Sequence, residues 1–278
     1  MPPFEPGLAY QLSPLVRRIT APNSGPMTGP GTNTYLIGEQ DVTVIDPGPL
    51  IETHINAIVE AGKGNIRRIM CTHTHSDHSP AAAPLAELTG ATLIGAPPPN
   101  DPFNDQTFKP TTEPTHQQVF RTEEANIVAL HTPGHVGNHF CFFLEEEGMV
   151  FAGDHIMNGS TVVIIPPSGD MKAYIESLRL LLNQPMVSIA PAHGDLMLNP
   201  VETIEWLVAH ILQRESKVVA GLEALGPSNL DRLVVKVYDD VDSSLHSWAK
   251  LSMKAHLLKL EAENVVKCSP SEIWSLVE

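Results

Sequence analysis

The segment Cys71-Thr72-His73-Thr74-His75-Ser76-Asp77-His78 constrains this chain more than any other. It follows an apolar run, Arg67 to Cys71, that reads as a buried strand, and it precedes Ala81 to Leu88, which reads as a helix. In extended backbone, side chains two residues apart point the same way, so His73 and His75 offer imidazoles to one metal ion. As the chain turns toward the helix, Asp77 and His78 face a second ion nearby. By chance the pattern H-x-H-x-D-H arises in roughly one chain in a thousand of this length. Three later strand ends carry residues of the same chemistry, in the order Thr132-Pro133-Gly134-His135, Gly153-Asp154-His155 and Pro191-Ala192-His193-Gly194.

The 278 residues suffice for one large domain, or for a domain of about 200 residues with a small appendage. Short apolar runs broken by Gly and Pro read as strands: Val42 to Ile45, Ala91 to Ile94, Asn126 to Leu130, His139 to Leu144, Met149 to Phe151 and Val187 to Ala190. Helical spacing appears over Ile51 to Ala61, Met171 to Asn183 and Pro200 to Glu215. Alternation of the two points to an α/β layered domain. Ser24 to Thr34 and Ala96 to Thr115 read as loops. The glycines of Met27 to Thr34 read as a plain turn, because no helix follows them at the spacing an anion cradle needs. Asp46, before Pro47-Gly48, reads as a structural turn cap. From residue 214 the pattern turns helical, with Leu245, Trp248, Leu251, Ala255 and Leu258 on one stripe and Lys250 and Lys254 on another face. The expected domains are 1–213 and 214–278.

Charge separates the same two pieces. Residues 1–213 hold 9 bases against 22 acids, residues 214–278 hold 8 against 10, and the net charge is -15. Such a field repels polyanions and counts against a general nucleic-acid binder. There is no run of about 18 apolar residues and no basic, apolar leader at the N-terminus, which argues against membrane spans and secretion. Three scattered cysteines form no disulfide framework. The expected compartment is the cytoplasm.

With its strand-end companions, the His-rich segment resembles the metallo-β-lactamase superfamily. The resemblance implies a first metal held by His73, His75 and His135, a second held by Asp77, His78 and His193, and Asp154 bridging both. Imidazole and carboxylate donors without thiolate suit two Zn(II) ions, and leave iron or manganese open. Gly31-Thr32-Asn33-Thr34-Tyr35-Leu36-Ile37-Gly38, Gly159-Ser160-Thr161, Tyr174 to Leu181 and His256-Leu257-Leu258-Lys259-Leu260 extend the likeness to the beta-lactamase-like protein 2 family. That family implies an αββα metallohydrolase sandwich with a small C-terminal, winged-helix-like domain, and cleavage of single-stranded RNA. Val136 departs from the superfamily's usual Thr after the third histidine.

The expected chemistry is hydrolysis by a hydroxide shared between two divalent cations. Asp77 doubles as ligand and catalytic proton acceptor. The resemblance implies single-stranded RNA as the substrate; Lys250, Lys254 and Lys259 read first as a solvated helix face, with guidance of an RNA backbone as the alternative. Alternatively it is a small thioester, ester or lactone, as for glyoxalase II. A third reading is a non-catalytic metal-binding regulator. A homo-oligomer is left open. His155 reads either as a support for the ligands or as a packed histidine, and His139 either as packed or as a contact for a substrate carboxylate or phosphate. His54, His116, His131, His210, His246 and His256 read as surface or core residues.

Overall fold

The computed structural model describes residues 3–159 and 161–277, so Ser160 of the Gly159-Ser160-Thr161 segment lies outside the described residues. One sheet has six strands in chain order: β1 (Ala9–Gln11), β2 (Val16–Thr20), β3 (Asn33–Ile37), β4 (Val42–Ile45), β5 (Ile66–Met70) and β6 (Thr92–Ile94). The first three pairings are antiparallel. The last two are parallel, which requires crossovers, and α1 (Glu52–Gly62) and α2 (Ala82–Thr89) supply them. The second sheet runs β11 (Ser188–Pro191), β10 (Met149–Gly153), β9 (Phe140–Leu144), β8 (Asn126–His131), β7 (Gln118–Arg121). Only its β10–β11 pair is parallel, bridged by α3 (Met171–Leu181).

Side-chain alternation sets the layers. From β9, Phe140, Phe142 and Leu144 enter a core shared with Tyr35, Ile45 and Met70 of the other sheet. Cys141 and Phe143 point the opposite way and pack with Leu178 of α3 and with Ile204 and Leu207 of α4 (Pro200–Leu225). A third cluster joins Leu36, Val44 and Ile69 to Ile58 of α1 and Leu85 of α2. The result is the expected αββα sandwich.

Four strands of the sandwich, β1, β2, β3 and β7, do not stand out as strands in the sequence. The run Val16-Arg17-Arg18-Ile19-Thr20 hides β2 because two arginines interrupt its apolar character, yet both are buried. Arg17 donates to the carbonyls of Ala61 at 2.7 Å and Gly38 at 2.6 Å, and Arg18 pairs with Asp195 at 3.3 Å. The loop expected over Ser24 to Thr34 ends two residues early, because Asn33 and Thr34 open β3.

The tail contains α5 (Leu230–Val237), a 3-10 turn over Ser243–Leu245, α6 (His246–Ala262), and an antiparallel wing of β12 (Val266–Cys268) and β13 (Trp274–Leu276). The wing completes the winged-helix-like tail that the resemblance implies, beyond the helical pattern read from residue 214. The stripe read on α6 is corrected. Its buried positions are Met253, Ala255, His256, Leu257 and Leu260, while Leu245, Trp248 and Leu258 are exposed. The helix is buried on two sides: Met253, Leu257 and Leu260 enter the tail core, and Ala255 enters the core beneath α3. The boundary at 213/214 falls inside α4, which is continuous over 26 residues. Its residues through Ile211 pack on the sandwich, and those from Val218 pack in the tail core. No helix among the described residues is long and apolar enough to cross a membrane.

Candidate metal centre

The ends of β5, β10 and β11, with the β8–β9 loop, bring the seven sequence-selected residues together at one rim of the sandwich. His73, His75, His135 and Asp154 each offer one ligand atom within 4.8 Å of the others, and Asp77, His78 and His193 form a second such group. In the first, His73 Nε2 and His135 Nε2 each lie 3.0 Å from His75 Nδ1, and Asp154 Oδ2 lies 3.8 Å from His135 Nε2. In the second, Asp77 Oδ2 lies 3.5 Å from His78 Nε2 and 3.3 Å from His193 Nε2. Asp154 Oδ1 faces the same two nitrogens at 3.5 and 3.2 Å. Asp154 thus turns one oxygen to each group.

The outer ring nitrogens fix which inner nitrogen carries a lone pair. His135 Nδ1 donates to the Val163 carbonyl at 2.9 Å, and His193 Nδ1 donates to that of Gly31 at 3.3 Å. His78 Nδ1 lies 3.1 Å from Asp46 Oδ2. Thr72 Oγ1 donates to the same Asp46 oxygen at 2.7 Å and accepts from His73 Nδ1 at 3.1 Å. Each of these contacts leaves Nε2 free to bind a cation. His78 Nε2, His193 Nε2 and Asp154 Oδ1 are buried without a hydrogen-bond partner among the described residues. Three buried polar atoms converging unsatisfied are costly unless a cation completes them, so the donor set fits a dinuclear metal centre.

Electrostatics distinguishes the two groups. Burial holds His73 and His135 below the ordinary imidazole range and His75 at about 3, so this group is free of protons at neutral pH. Burial also opposes charge on His78 and His193, but Asp77 and Asp154 beside them prevail. They raise both, His193 to about 9.

Asp46 is more than a turn cap. Its φ of 48° aims the carboxylate back under the metal loop, where it accepts from the Thr72 amide and hydroxyl as well as holding His78. Thr72 was not singled out in the sequence, although it lies within the motif. His139 is fully buried behind His73, with ring centroids 5.1 Å apart, and does not line the cleft. His155 is equally buried, edge-on to Tyr174 at 4.7 Å. Burial pushes its imidazole down to about 3. His54, His116, His131, His210, His246 and His256 stand outside both groups.

A cleft of about 340 Å³ opens on this rim, lined by His75, Asp77, His135 and Asp154 together with Met27, Phe103 and Trp248. Among the described residues, no Lys or Arg lines it.

The Metallo-beta-lactamase superfamily profile matches residues 27–193, and the Beta-lactamase associated winged helix domain matches residues 230–274. A Beta-lactamase-like protein 2 homolog of Drosophila melanogaster is 33% identical, covering 94% of this chain and 92% of that protein. An Atrochrysone carboxyl ACP thioesterase of Emericella nidulans is 32% identical, covering 91% and 80% respectively. The crystal structure of a metallo-beta-lactamase family protein from Thermus thermophilus superposes with a TM-score of 0.80 at 20% identity, covering 96% of this chain and all of that one. By the strand-end motif, the layered fold, the winged tail and these matches together, the chain belongs to the metallo-beta-lactamase superfamily, in the beta-lactamase-like protein 2 group, and is a hydrolase of that superfamily.

Proposed function

We propose that the protein hydrolyses thioesters with the help of two zinc ions, which His73, His75 and His135 and, in the second group, Asp77, His78 and His193 would hold, with Asp154 offering an oxygen to each group. The observation that carries this reading is a pair of complementary ligand groups at the base of a cleft without cationic side chains. When bound, the ions supply an acidified water and a Lewis acid for the carbonyl oxygen. The chain's own part is orientation and proton handling. Asp46 and Thr72 hold His78 and His73 in register. Asp77, whose side chain is 24% accessible at the cleft, is the carboxylate placed to take the proton of the attacking water.

Two features favour a thioester over RNA. Relatives covering most of this chain are named thioesterases. Two of the three tail lysines that an RNA backbone would need as guides are paired with carboxylates: Lys250 with Asp231 at 2.6 Å, and Lys259 with Glu215 and Glu263 at 2.9 and 3.0 Å. Zinc-loaded protein should therefore cleave S-octanoyl-N-acetylcysteamine and leave a labelled single-stranded RNA intact. RNA cleavage with no thioester turnover would overturn the assignment.

Proton release separates the two ions. The second group must discharge His78 and His193 to bind a cation, so below about pH 9 its affinity falls as protons compete; the first group carries no such burden near neutrality. Dialysis from pH 9 to pH 6 at fixed free zinc should remove one ion per chain before the other, read by elemental analysis. Simultaneous loss of both would show that the groups do not differ in this way.

A further inference from the structure

A second cavity, about 1020 Å³, lies beside the metal cleft, and the two share Met27, Met157, Val162 and Trp248 in their walls. Its far side is built by the tail and by α4: Trp206, Leu207, Ile211, Tyr238 and Leu245 line it. Trp206 is 58% exposed, Leu245 49%, Trp248 41% and Met27 48%, which gathers into one place side chains that a soluble surface ordinarily disperses. The buried face of α6 is on other residues, so packing of that helix does not account for Trp248.

Charge identifies which part of a thioester fits. Arg214 is the cavity's only Lys or Arg among the described residues, and Asp240 neutralises it through contacts at 2.7 and 3.1 Å while its guanidinium stacks 4.3 Å over the Tyr238 ring. Glu202 also lines the wall. A phosphate-bearing thiol arm would meet net negative charge here. An uncharged, elongated or aromatic acyl arm would meet two indoles, a phenol and flexible methionines, which suit flat and irregular apolar shapes.

We propose that this cavity binds the acyl portion of the substrate, and that the substrate is a thioester with a bulky apolar or aromatic acyl group. The inference rests on the thioesterase reading, and extends it by placing substrate selection between the sandwich and the winged tail. A small acyl group leaves the cavity empty; a large one fills it and is held with its carbonyl toward the metal cleft.

The test compares S-acetyl and S-(2-naphthoyl) thioesters of N-acetylcysteamine on zinc-loaded protein. The ratio of their kcat/KM values should favour the naphthoyl ester at least tenfold. Trp206→Ala, which removes an exposed wall, and Ala249→Trp, which fills the space, should each lower that ratio about tenfold. A binding arm uses the non-hydrolysable thioether S-(2-naphthylmethyl)-N-acetylcysteamine and zinc-free protein. Two of the chain's three tryptophans line the cavity, so occupancy should quench intrinsic fluorescence, and Trp206→Ala should weaken the titration. Saturable quenching that depends on Trp206 supports the site even if no thioester is turned over, an outcome that would sink the thioesterase reading alone. Thioester turnover at the same rate for both acyl groups, with no saturable quenching, would overturn the acyl site and leave the thioesterase reading standing.

Discussion

Asp154→Ala is expected to reduce hydrolysis by about 10³-fold or more, and to lower the metal content below two ions per chain. The size of the effect follows from geometry. Each Asp154 oxygen faces a different candidate ligand group, so one truncation removes a donor from both and deletes the negative charge that would lie between two bound cations. It also deletes a counter-charge of His78 and His193, whose imidazoles its carboxylate helps to raise. The carboxylate of Asp154 contacts the clustered histidines rather than the packed layers, so circular dichroism should remain close to that of the parent. Activity assays with elemental analysis on the same sample decide the matter. Parental turnover with two ions bound would show that another residue joins the groups.

A large loss of stability is expected from Gly153→Val. Gly153 ends β10 at φ +51°, in the left-handed region where a β-branched residue is strained. A Cβ there would stand 2.5 Å from Thr72 Oγ1 and 2.7 Å from His139 Nε2, both on buried side chains in a packed layer. Thr72 cannot retreat without releasing Asp46 and His73, the contacts that orient the metal loop. Strain and overpacking together should cost about 3–5 kcal/mol, or roughly 10 °C in the melting temperature of metal-free protein. Thermal unfolding followed by circular dichroism measures this directly. A parental melting temperature for the valine variant would contradict the close approach.

The clustering of the candidate ligands was legible because the pattern is local. Four of them fall within six residues, and His135, Asp154 and His193 each follow a strand whose apolar run marks the rim. What escaped was cooperation across distance. Asp46 supports Thr72 and His78 from 26 and 32 residues away, a role that no spacing rule around a turn discloses. The strand β2 escaped because its buried arginines, Arg17 held by carbonyls and Arg18 by a carboxylate, look like surface charge in the sequence. On α6, the sequence pattern suggests one apolar stripe, whereas two narrower faces are buried and a third side opens on a cavity. The wall of that cavity runs from Pro26 to His256, so only the folded chain reveals it.

Helix α4 carries a constraint of phase. It belongs to the sandwich at one end and to the tail at the other, with no hinge between Ile211 and Val218. Adding or deleting one residue in that stretch would rotate everything beyond it by about 100° and slide it by about 1.5 Å. Trp248 would then swing out of the wall it contributes to the metal cleft. The length of this rod therefore helps to set the shape of the cleft. Divergence among such proteins has freedom to change the side chains facing the cavity, but an insertion in the shaft must come in whole turns or be absorbed by a kink.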